Sequence, residues 1–546
     1  MLAGAALAAL STAGPAQASD DRVALMDYAR ARVADATGDI QDAAEGYAAV
    51  LNEAPFDELL ATRAFRRAIA AGDRRLARQA ADALYANNVL PPDGQFMFLV
   101  DAMTNRNWEA AGAAVDRIEE EGLFISLAPM LRAWIAVGED EDPFAVLDAS
   151  PDVRGSPYAL EHRALMLLAE GHHAEGIHAI RALDGLSAAR RTRILLAAAA
   201  TLAGQGRREA ARALLQDEQG RAFRHARERL AAGRDLPGEI VTPAQGVAEL
   251  LARLAADIGR RDAQSLALTL SRYAGFVAPD NPIAWLLAAN MLVQDGQYAA
   301  ALAALDRVAP ESPYFAEAQD MRVGALLAQG ERERALALVR EHTEERRADV
   351  SDWLRFGGLY TELDRHEEAV DAYRRALRLE REGDEGEALW TTWLLYGGAL
   401  LDAGRWEESR EALDQALGLA PDEPVLLNFL GYALLERREQ LDRAEELIRR
   451  ASEMRPDNPA ITDSLGWVLF VRGKYDEAIP TLERAVVADP DEPTINEHLG
   501  DAYWAVGRRR DARFAWQAAL VTAEDEAAER IAEKLDFGLT PETASP

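Results

Sequence analysis

Residues 459–492 read PAITDSLGWVLFVRGKYDEAIPTLERAVVADPDE, and residues 493–526 repeat the pattern as PTINEHLGDAYWAVGRRRDARFAWQAALVTAEDE. Each stretch has 34 residues, and apolar side chains recur every three or four positions on both sides of a central glycine, Gly473 in the first and Gly507 in the second. That periodicity is typical of amphipathic helices, and a glycine between two such segments marks a turn. Each stretch is therefore predicted to form two helices joined by a short turn.

The same pattern extends upstream through most of the chain. Gly431, Gly466 and Gly500 hold equivalent places in three successive units, and the first unit has one extra residue in its turn. About fourteen units are predicted between residues 24 and 526. A two-helix unit cannot bury its apolar face alone, so neighbouring units must stack on one another. The predicted fold class is therefore all-α, an α-solenoid.

These residues resemble the tetratricopeptide repeat (TPR), in which two antiparallel helices cross closely at small side chains. Gly466, Ala478 and Ala485 match the small positions of that repeat. The resemblance implies a right-handed superhelix whose concave face is lined by the first helix of each pair. It also implies a protein that binds other proteins and is not an enzyme.

The predicted array has one break and one cap. Residues 226–247 are rich in glycine and proline, which indicates a loop. We therefore predict a divergent N-terminal block at 24–225, a linker at 226–247 and a C-terminal block at 248–526. The tail at 527–546 has apolar residues at helical spacing and is predicted to form a helix that caps the last repeat.

The composition excludes several kinds of site. None of the 546 residues is cysteine, which rules out disulfides, thiolate nucleophiles and cysteine-ligated metals. The formal net charge is −32, with 92 acidic and 60 basic residues, and this disfavours nucleic acid or an anionic membrane as the partner. No nucleotide-binding or hydrolase motif is present, so no cofactor is predicted.

The amino terminus is typical of an export signal. Leu2–Leu10 is apolar, and small residues at Ala16 and Ala18 predict cleavage before Ser19, so residues 1–18 are read as a signal peptide. The apolar run is too short to span a bilayer. Since no cysteine is available for lipidation, the mature protein is expected to be soluble in the periplasm. No basic residue precedes the apolar run, which leaves a first helix and a cytoplasmic location as the alternative.

The last three repeats carry aromatic and acidic residues at positions that the TPR resemblance turns toward the concave groove. These candidate binding residues are Asn428, Tyr432, Asp463, Trp467, Phe470, Glu497, Asp501 and Trp504. Large aromatic side chains exposed in a concavity suit capture of a peptide, and the alternative is that they pack between repeats. Acidic groups stand where a carboxylate-binding clamp needs basic ones, which favours an apolar or basic ligand.

Residues 181–235 run against the overall charge, with twelve arginines and six acidic residues. We predict a docking patch for an acidic partner surface or anionic lipid at Arg190, Arg191, Arg193, Arg207 and Arg208. The alternative is a set of solvated helix faces with ion pairs.

Five of the eight histidines lie near one another in the sequence, at His162, His172, His173, His178 and His225. Imidazole nitrogens are common zinc ligands, so a metal-dependent enzyme is an alternative to a binding protein. Their spacing matches no metal-binding motif, and no metal site is predicted.

Residues 350–526 resemble more particularly a group of exported proteobacterial TPR proteins. The resemblance rests on Leu430–Tyr432, Asp463–Trp467 and Ile495–Trp504. One type in that group is the TPR lipoprotein adaptor of a periplasmic carboxyl-terminal processing protease, whose substrates include cell-wall hydrolases. The resemblance implies a scaffold in the cell envelope that delivers substrates to such a protease, although the lipidation cysteine of that adaptor is missing here. A cytoplasmic chaperone-like adaptor is the alternative.

Overall fold

The computed structural model describes residues 15–53, 57–150, 155–259, 263–345, 348–382, 389–540 and 543–545, with backbone alone at 15–24 and 342–345. These residues form thirty α-helices and two short 3₁₀ helices, and no strand occurs among them. The fold class predicted from the repeat is therefore confirmed. Most of the predicted signal peptide lies outside the described residues.

The chain divides into two compact units, Met1–Ala335 and Leu336–Pro546. The helices of the first unit are α1 (Pro15–Thr37), α2 (Ile40–Glu53), α3 (Glu58–Ala71), α4 (Arg74–Ala86), α5 (Gln95–Thr104), α6 (Trp108–Glu121), α7 (Ala128–Gly138), α8 (Pro143–Asp148), α9 (Pro157–Ala169), α10 (His173–Arg181), α11 (Ala188–Gly204), α12 (Arg208–Leu214), α13 (Arg221–Ala231), α14 (Pro243–Gly259), α15 (Gln264–Val277), α16 (Pro282–Gln294), α17 (Tyr298–Leu305) and α18 (Phe315–Ala328). Helix α19 (Arg332–Glu345) crosses the division between the units.

The second unit continues the same alternation of helices. Its helices are α20 (Val350–Glu362), α21 (His366–Glu382), α22 (Trp390–Asp402), α23 (Trp406–Leu419), α24 (Pro424–Glu436), α25 (Leu441–Met454), α26 (Pro459–Val471), α27 (Tyr475–Ala488), α28 (Pro493–Ala505), α29 (Arg509–Thr522) and α30 (Asp525–Phe537). Among the described helices, fourteen consecutive pairs follow one another in chain order, with α13 and α30 standing outside the pairs. That number equals the number of repeats predicted from the sequence.

A glycine in the first helix of each pair permits the close crossing in the second unit. A Cβ atom added to Gly466 would lie 2.5 Å from Leu482, and one added to Gly500 would lie 2.3 Å from Trp516. In both pairs the large side chain comes sixteen positions after the glycine. The extra residue between Gly431 and its partner Ile448 lies in the turn, so the crossing is kept.

The turn inside each pair of the second unit has a left-handed backbone conformation. Gly473 and Gly507 follow the first helix with φ of 74° and 83°, which glycine adopts without steric cost. Asp364 and Arg438 take the same place in other repeats, with φ of 56° and 52°. The turn geometry is therefore kept even where the sequence has lost the glycine that signals it.

Helices α14 and α15 cover the inner side of the N-terminal repeats. Helix α14 packs against α5, α7 and α9, and α15 packs against α3 and α5. These partners are the first helices of their pairs, so this face of the first unit is filled by the chain itself. Two of the residues that make the contact are Gly246, whose added Cβ would lie 2.1 Å from Trp134, and Arg272, which donates to the Ala70 carbonyl.

This packing differs from the predicted division at residues 226–247. Part of that segment is helical, in α13 and the start of α14, and the segment leads directly into the helix that packs on the preceding repeats. The compact units divide instead at Ala335. Glycine and proline content indicates an irregular segment at residues 226–247. It does not indicate that the helix after this segment packs on the preceding repeats.

A network of buried ion pairs joins α9, α11 and α14. Arg253 and Arg190 approach the two carboxylate oxygens of Glu161 at 2.6 and 3.1 Å, and Arg193 approaches Glu249 at 2.7 Å. Burial raises the pKa of Glu161 to about 7, although the charges of Arg190 and Arg193 oppose that shift. The network therefore contains a carboxyl group that changes its protonation near neutral pH.

The Glu161→Gln variant is expected to make the stability of the first unit less dependent on pH. Because the pKa of Glu161 is higher in the folded state than its ordinary value of 4.5, the folded state binds more protons between these two values. This group's contribution to the free energy of unfolding is therefore full below pH 4.5 and is lost as the pH rises through 7. We expect wild type to lose about 1–3 kcal/mol more than the variant between pH 5 and 8, measured by urea unfolding at each pH. Parallel pH profiles would contradict this assignment.

Candidate functional site

The predicted groove residues lie on α24, α26 and α28, the first helices of three successive pairs. Helix α26 packs between α24 and α28, so residues at matching positions on the three helices come near one another. The structure separates the eight predicted residues into three groups with different surroundings. Only one group lines an open cavity.

Asn428, Tyr432 and Asp463 line a half-open cavity of about 430 Å³. Phe429 and Ile495 complete its apolar wall, and four acidic residues border it, which are Glu436, Asp463, Asp489 and Glu492. Asn428, Phe429 and Tyr432 are half-buried, whereas Glu436 and Glu492 are exposed. The cavity therefore has a partly aromatic wall and carboxylates near its opening.

Trp467 is buried, and Phe470, which stacks on it, is half-buried; neither lines this cavity. Trp467 is 2% exposed and its ring stacks on His498 at 4.0 Å and on Phe470 at 4.8 Å. His498 is buried as well, and its Nδ1 lies 2.9 Å from an oxygen of Asp463. The prediction that Trp467 faces a ligand is therefore wrong, and the alternative, packing between repeats, describes it. Burial of so large an apolar ring on its neighbours stabilises the fold more than solvent contact would.

Glu497 and Asp501 are covered by α30 and the tail. The Lys534 ammonium donates to Glu497 at 2.6 Å and to Asp501 at 2.8 and 2.9 Å, and Arg530 donates to both oxygens of Glu497. Burial opposes ionisation of Glu497, but hydrogen bonds from Arg530 and Lys534 together with their charges outweigh it and lower its pKa. These carboxylates therefore bind the chain's own C-terminal helix.

Trp504 is also partly covered by the C-terminal segment. Its ring packs on Trp516 at 5.1 Å, and a Cβ added to Gly538 would lie 2.0 Å from it. Arg509 lies over its ring at 3.8 Å. The C-terminal helix was predicted as a cap for apolar surface, and in the structure it also neutralises two carboxylates.

Sequence reasoning missed several residues at this site. Glu436 lies two helical turns after Asn428 on the same face of α24, so extending the helical register would have found it. Asp489 and Glu492 lie in the connection before α28, where no periodicity applies. Lys534, which pairs with Glu497 and Asp501, is one of only two lysines in the chain. This scarcity is the feature of the sequence that could have drawn attention to it.

The predicted arginine patch does not form one surface. Arg190 and Arg193 belong to the buried network of the first unit, where they pair with Glu161 and Glu249. Arg191 pairs with Glu218, and Arg208 pairs with Asp235 at the surface. Of the five residues, Arg191, Arg207 and Arg208 are exposed. Four of the five arginines form ion pairs, as the alternative interpretation predicts, although Arg190 and Arg193 do so in the interior and not on a solvated face.

The five clustered histidines have separate environments. His162 is buried and accepts a hydrogen bond from Trp134 at 3.0 Å, and burial lowers its pKa to about 3. His173 lies 2.8 Å from Gln205, His225 contacts the Glu311 carbonyl, and His172 and His178 are exposed. Within the described ranges, no three side chains of His, Asp or Glu come together in a way that could hold a metal ion.

Among the described residues, no helix combines the length and the apolar character needed to cross a bilayer.

Comparison with known families gives a direct match. Models of the tetratricopeptide repeat match residues 249–314, 394–459 and 430–493, and a further model of the same repeat matches 353–382.

The similar proteins are TPR proteins too. A stretch of 58 residues is 45% identical to the TPR repeat-containing protein PA4667 of Pseudomonas aeruginosa, and the match spans 11% of this chain and 10% of that protein. Similar solved structures include a TPR protein from Parabacteroides merdae, at 17% identity and a TM-score of 0.39, which covers 46% of this chain and 97% of that one. Another is MamA from Desulfovibrio magneticus, at 18% identity and a TM-score of 0.28, which covers 32% of this chain and 94% of that one. The family matches and the helix pairs together show that this chain contains tetratricopeptide repeats, at residues 249–314, 353–382 and 394–493.

Proposed function

We propose that this protein is a non-catalytic scaffold that binds a segment of a partner protein in the cavity between α24, α26 and α28. TPR arrays are protein-interaction folds, and this repeat matches residues 394–493, which include most of the cavity. The observation that carries the proposal is the contrast between the two units. The first helices α3, α5, α7 and α9 are covered by α14 and α15, whereas the cavity of the second unit is open.

The chemistry of the cavity supports a protein segment as its ligand. Its volume of about 430 Å³ falls within the range of pockets that enclose a bound group. Phe429 and Tyr432 offer apolar area, and Asn428 Oδ1 is buried with no hydrogen-bond partner in the part of the chain that the structure describes. A donor from a partner would satisfy that oxygen, since an unpaired buried acceptor is unfavourable.

Replacing Tyr432 with alanine is expected to weaken partner binding by at least about 2 kcal/mol, the loss typical of a central aromatic contact. The measurement is affinity capture with the purified full chain, followed by quantitative mass spectrometry of the retained proteins. Phe514→Ala is the control, because Phe514 is an equally apolar aromatic residue, 59% exposed, that lies outside the cavity. Partners should be kept by wild type and by Phe514→Ala but lost by Tyr432→Ala. Retention of the same proteins by all three would contradict the proposed site.

The proposed cellular setting follows from the sequence. The apolar segment at Leu2–Leu10 and the small residues before Ser19 support export, and the resemblance of residues 350–526 supports a cell-envelope adaptor that delivers substrates to a processing protease. Determining the N-terminal residue of the protein isolated from its host tests export, since a chain that starts at Ser19 has been cleaved. Capture of neither a processing protease nor a cell-wall hydrolase would remove the more specific role and leave the scaffold.

A further inference from the structure

The cavity between α24, α26 and α28 has an uneven distribution of charge. The described residues that line it include four carboxylates, Glu436, Asp463, Asp489 and Glu492, and no lysine, arginine or histidine. Asp463 is already held by His498, and Glu492 accepts a long hydrogen bond from the Thr494 amide at the start of α28. The negative potential of this surface is therefore not balanced by cations within the lining itself.

Two of these carboxylates stand without an ion pair among the described residues, Glu436 and Asp489. Elsewhere in the second unit carboxylates such as Glu445 are held in ion pairs, with Lys474 and Arg472. The nearby cations Arg530 and Lys534 are tied to Glu497 and Asp501. Arg437, next to Glu436 in the chain, acts on its charge but does not line the cavity. An anionic ligand would therefore meet negative charge in a lining where no described residue is a cation.

The apolar side of the cavity restricts the ligand further. Phe429 and Tyr432 border the same space as the carboxylates, and Asn428 contributes a buried oxygen without a donor. A long cationic side chain combines an apolar stem with N–H donors, so the stem fits beside the rings and the charge reaches the carboxylates. An aromatic face also attracts a cation directly. A small inorganic cation would leave the apolar wall unused.

From this complementarity we infer that the cavity receives an arginine or lysine side chain, flanked by an apolar residue, from an extended segment of the partner protein. The inference rests on the proposed function and specifies the chemistry of its ligand. The aromatic wall holds the side-chain stem, Asn428 accepts one N–H, and Glu436 and Asp489 pair with the charge. Binding by this arrangement weakens at high salt, because the exposed carboxylates are screened.

Three fluorescein-labelled peptides of sequence GLXLXLXLG, with X as Arg, Gln or Glu, test this inference by fluorescence polarisation with the full chain. The Arg peptide is expected to bind at least tenfold more tightly than the Gln peptide, and the Glu peptide more weakly still. Raising the salt from 0.1 to 0.5 M should reduce the preference for Arg.

Paired variants identify the site. The Glu436→Gln/Asp489→Asn variant is expected to lose at least tenfold in affinity for the Arg peptide. The control is Glu453→Gln/Asp457→Asn, which makes the same changes at two exposed acids of the same region that do not line the cavity. Since surface substitutions of this kind leave the fold intact, both variants should unfold like wild type.

The outcomes separate the inference from the proposed function. Equal binding of the Arg, Gln and Glu peptides, lost in Tyr432→Ala, would overturn the cationic preference and leave the cavity as a binding site. Failure of all three peptides to bind, or equal losses in both paired variants, would also overturn the inference. The proposed function is decided independently, by whether capture of cellular partners depends on Tyr432.

Discussion

Replacing Lys534 with methionine is expected to weaken the attachment of α30 to α28 by about 3–5 kcal/mol. Lys534 is completely buried and contacts Glu497, Asp501 and Ser545. Methionine keeps the apolar stem but removes the charge, so Asp501 keeps only donors without a full charge, from Trp516 and Ser545. A buried carboxylate without its cation is strongly unfavourable, and Arg530 can compensate only at Glu497.

Hydrogen exchange followed by mass spectrometry measures this effect locally. Amides of residues 525–537 should exchange about 10²- to 10³-fold faster in the variant, provided that α30 opens separately from the rest of the unit. The control is Lys474→Met at the only other lysine, which is 38% exposed and whose partner Glu445 keeps Arg472 and Arg449. We expect at most about 1 kcal/mol there, as for exposed ion pairs.

A neutral triple variant checks the electrostatic origin of the loss. Glu497→Gln, Asp501→Asn and Lys534→Met together remove the buried charges, and replacing a whole buried cluster is often close to neutral. Slow exchange of α30 should then return in large part. If the triple variant exchanges as fast as Lys534→Met alone, the helix is held by the shape of the lysine side chain instead of its charge.

Gly246→Ala is expected to destabilise the first unit by about 1–3 kcal/mol, the usual cost of overpacking. The added methyl would lie 2.1 Å from the Trp134 ring, and that ring is fully buried. Trp134 cannot easily withdraw, because its indole N–H donates to His162 at 3.0 Å. Helix α14 must then move away from α7, which opens the contact that fills the inner face of the N-terminal repeats.

Urea unfolding followed by tryptophan fluorescence measures this change, with Gly112→Ala as the control. Gly112 lies within α6 and has no atom near its Cβ direction, so alanine there should stabilise by up to about 1 kcal/mol through helix propensity. Adding Trp134→Phe to Gly246→Ala should recover part of the loss, because the smaller ring frees space. Strictly additive effects of the two changes would show that the two residues do not compete for the same volume.

The repeat predicted the fold well because its period is a local property. The 34-residue spacing fixed the helix pairs, and the small residues at Gly466 and Gly500 predicted where the two helices touch. In the N-terminal repeats the signature fades, yet pairs such as α3 and α4 still form, since the left-handed turn at Gly72 and the alternation of apolar residues remain.

The candidate site was predicted only in part, because exposure depends on which helices lie over a surface. Register assigned Asn428, Tyr432 and Asp463 to the groove, and all three line an open cavity. The same register assigned Trp467 and Asp501 to the groove. In the structure the His498 ring covers Trp467, and the Lys534 ammonium covers Asp501. The predicted arginine patch does not form one surface for the same reason, because Arg193 forms an ion pair with Glu249, 56 positions away in the sequence.

By itself, the sequence determined that this is an all-α protein of paired helices with aromatic and acidic residues concentrated near its C-terminal repeats. Helical periodicity and turn chemistry act between residues a few positions apart, so a single repeat is enough to reveal them. The tertiary structure alone decided which of those residues border an open cavity and which are covered, because Lys534 returns to Glu497 from 37 positions away and α14 returns to helices far earlier in the chain. Such contacts join charged groups and apolar faces that are far apart in the sequence and meet only once the repeats have stacked. No local pattern therefore specifies them.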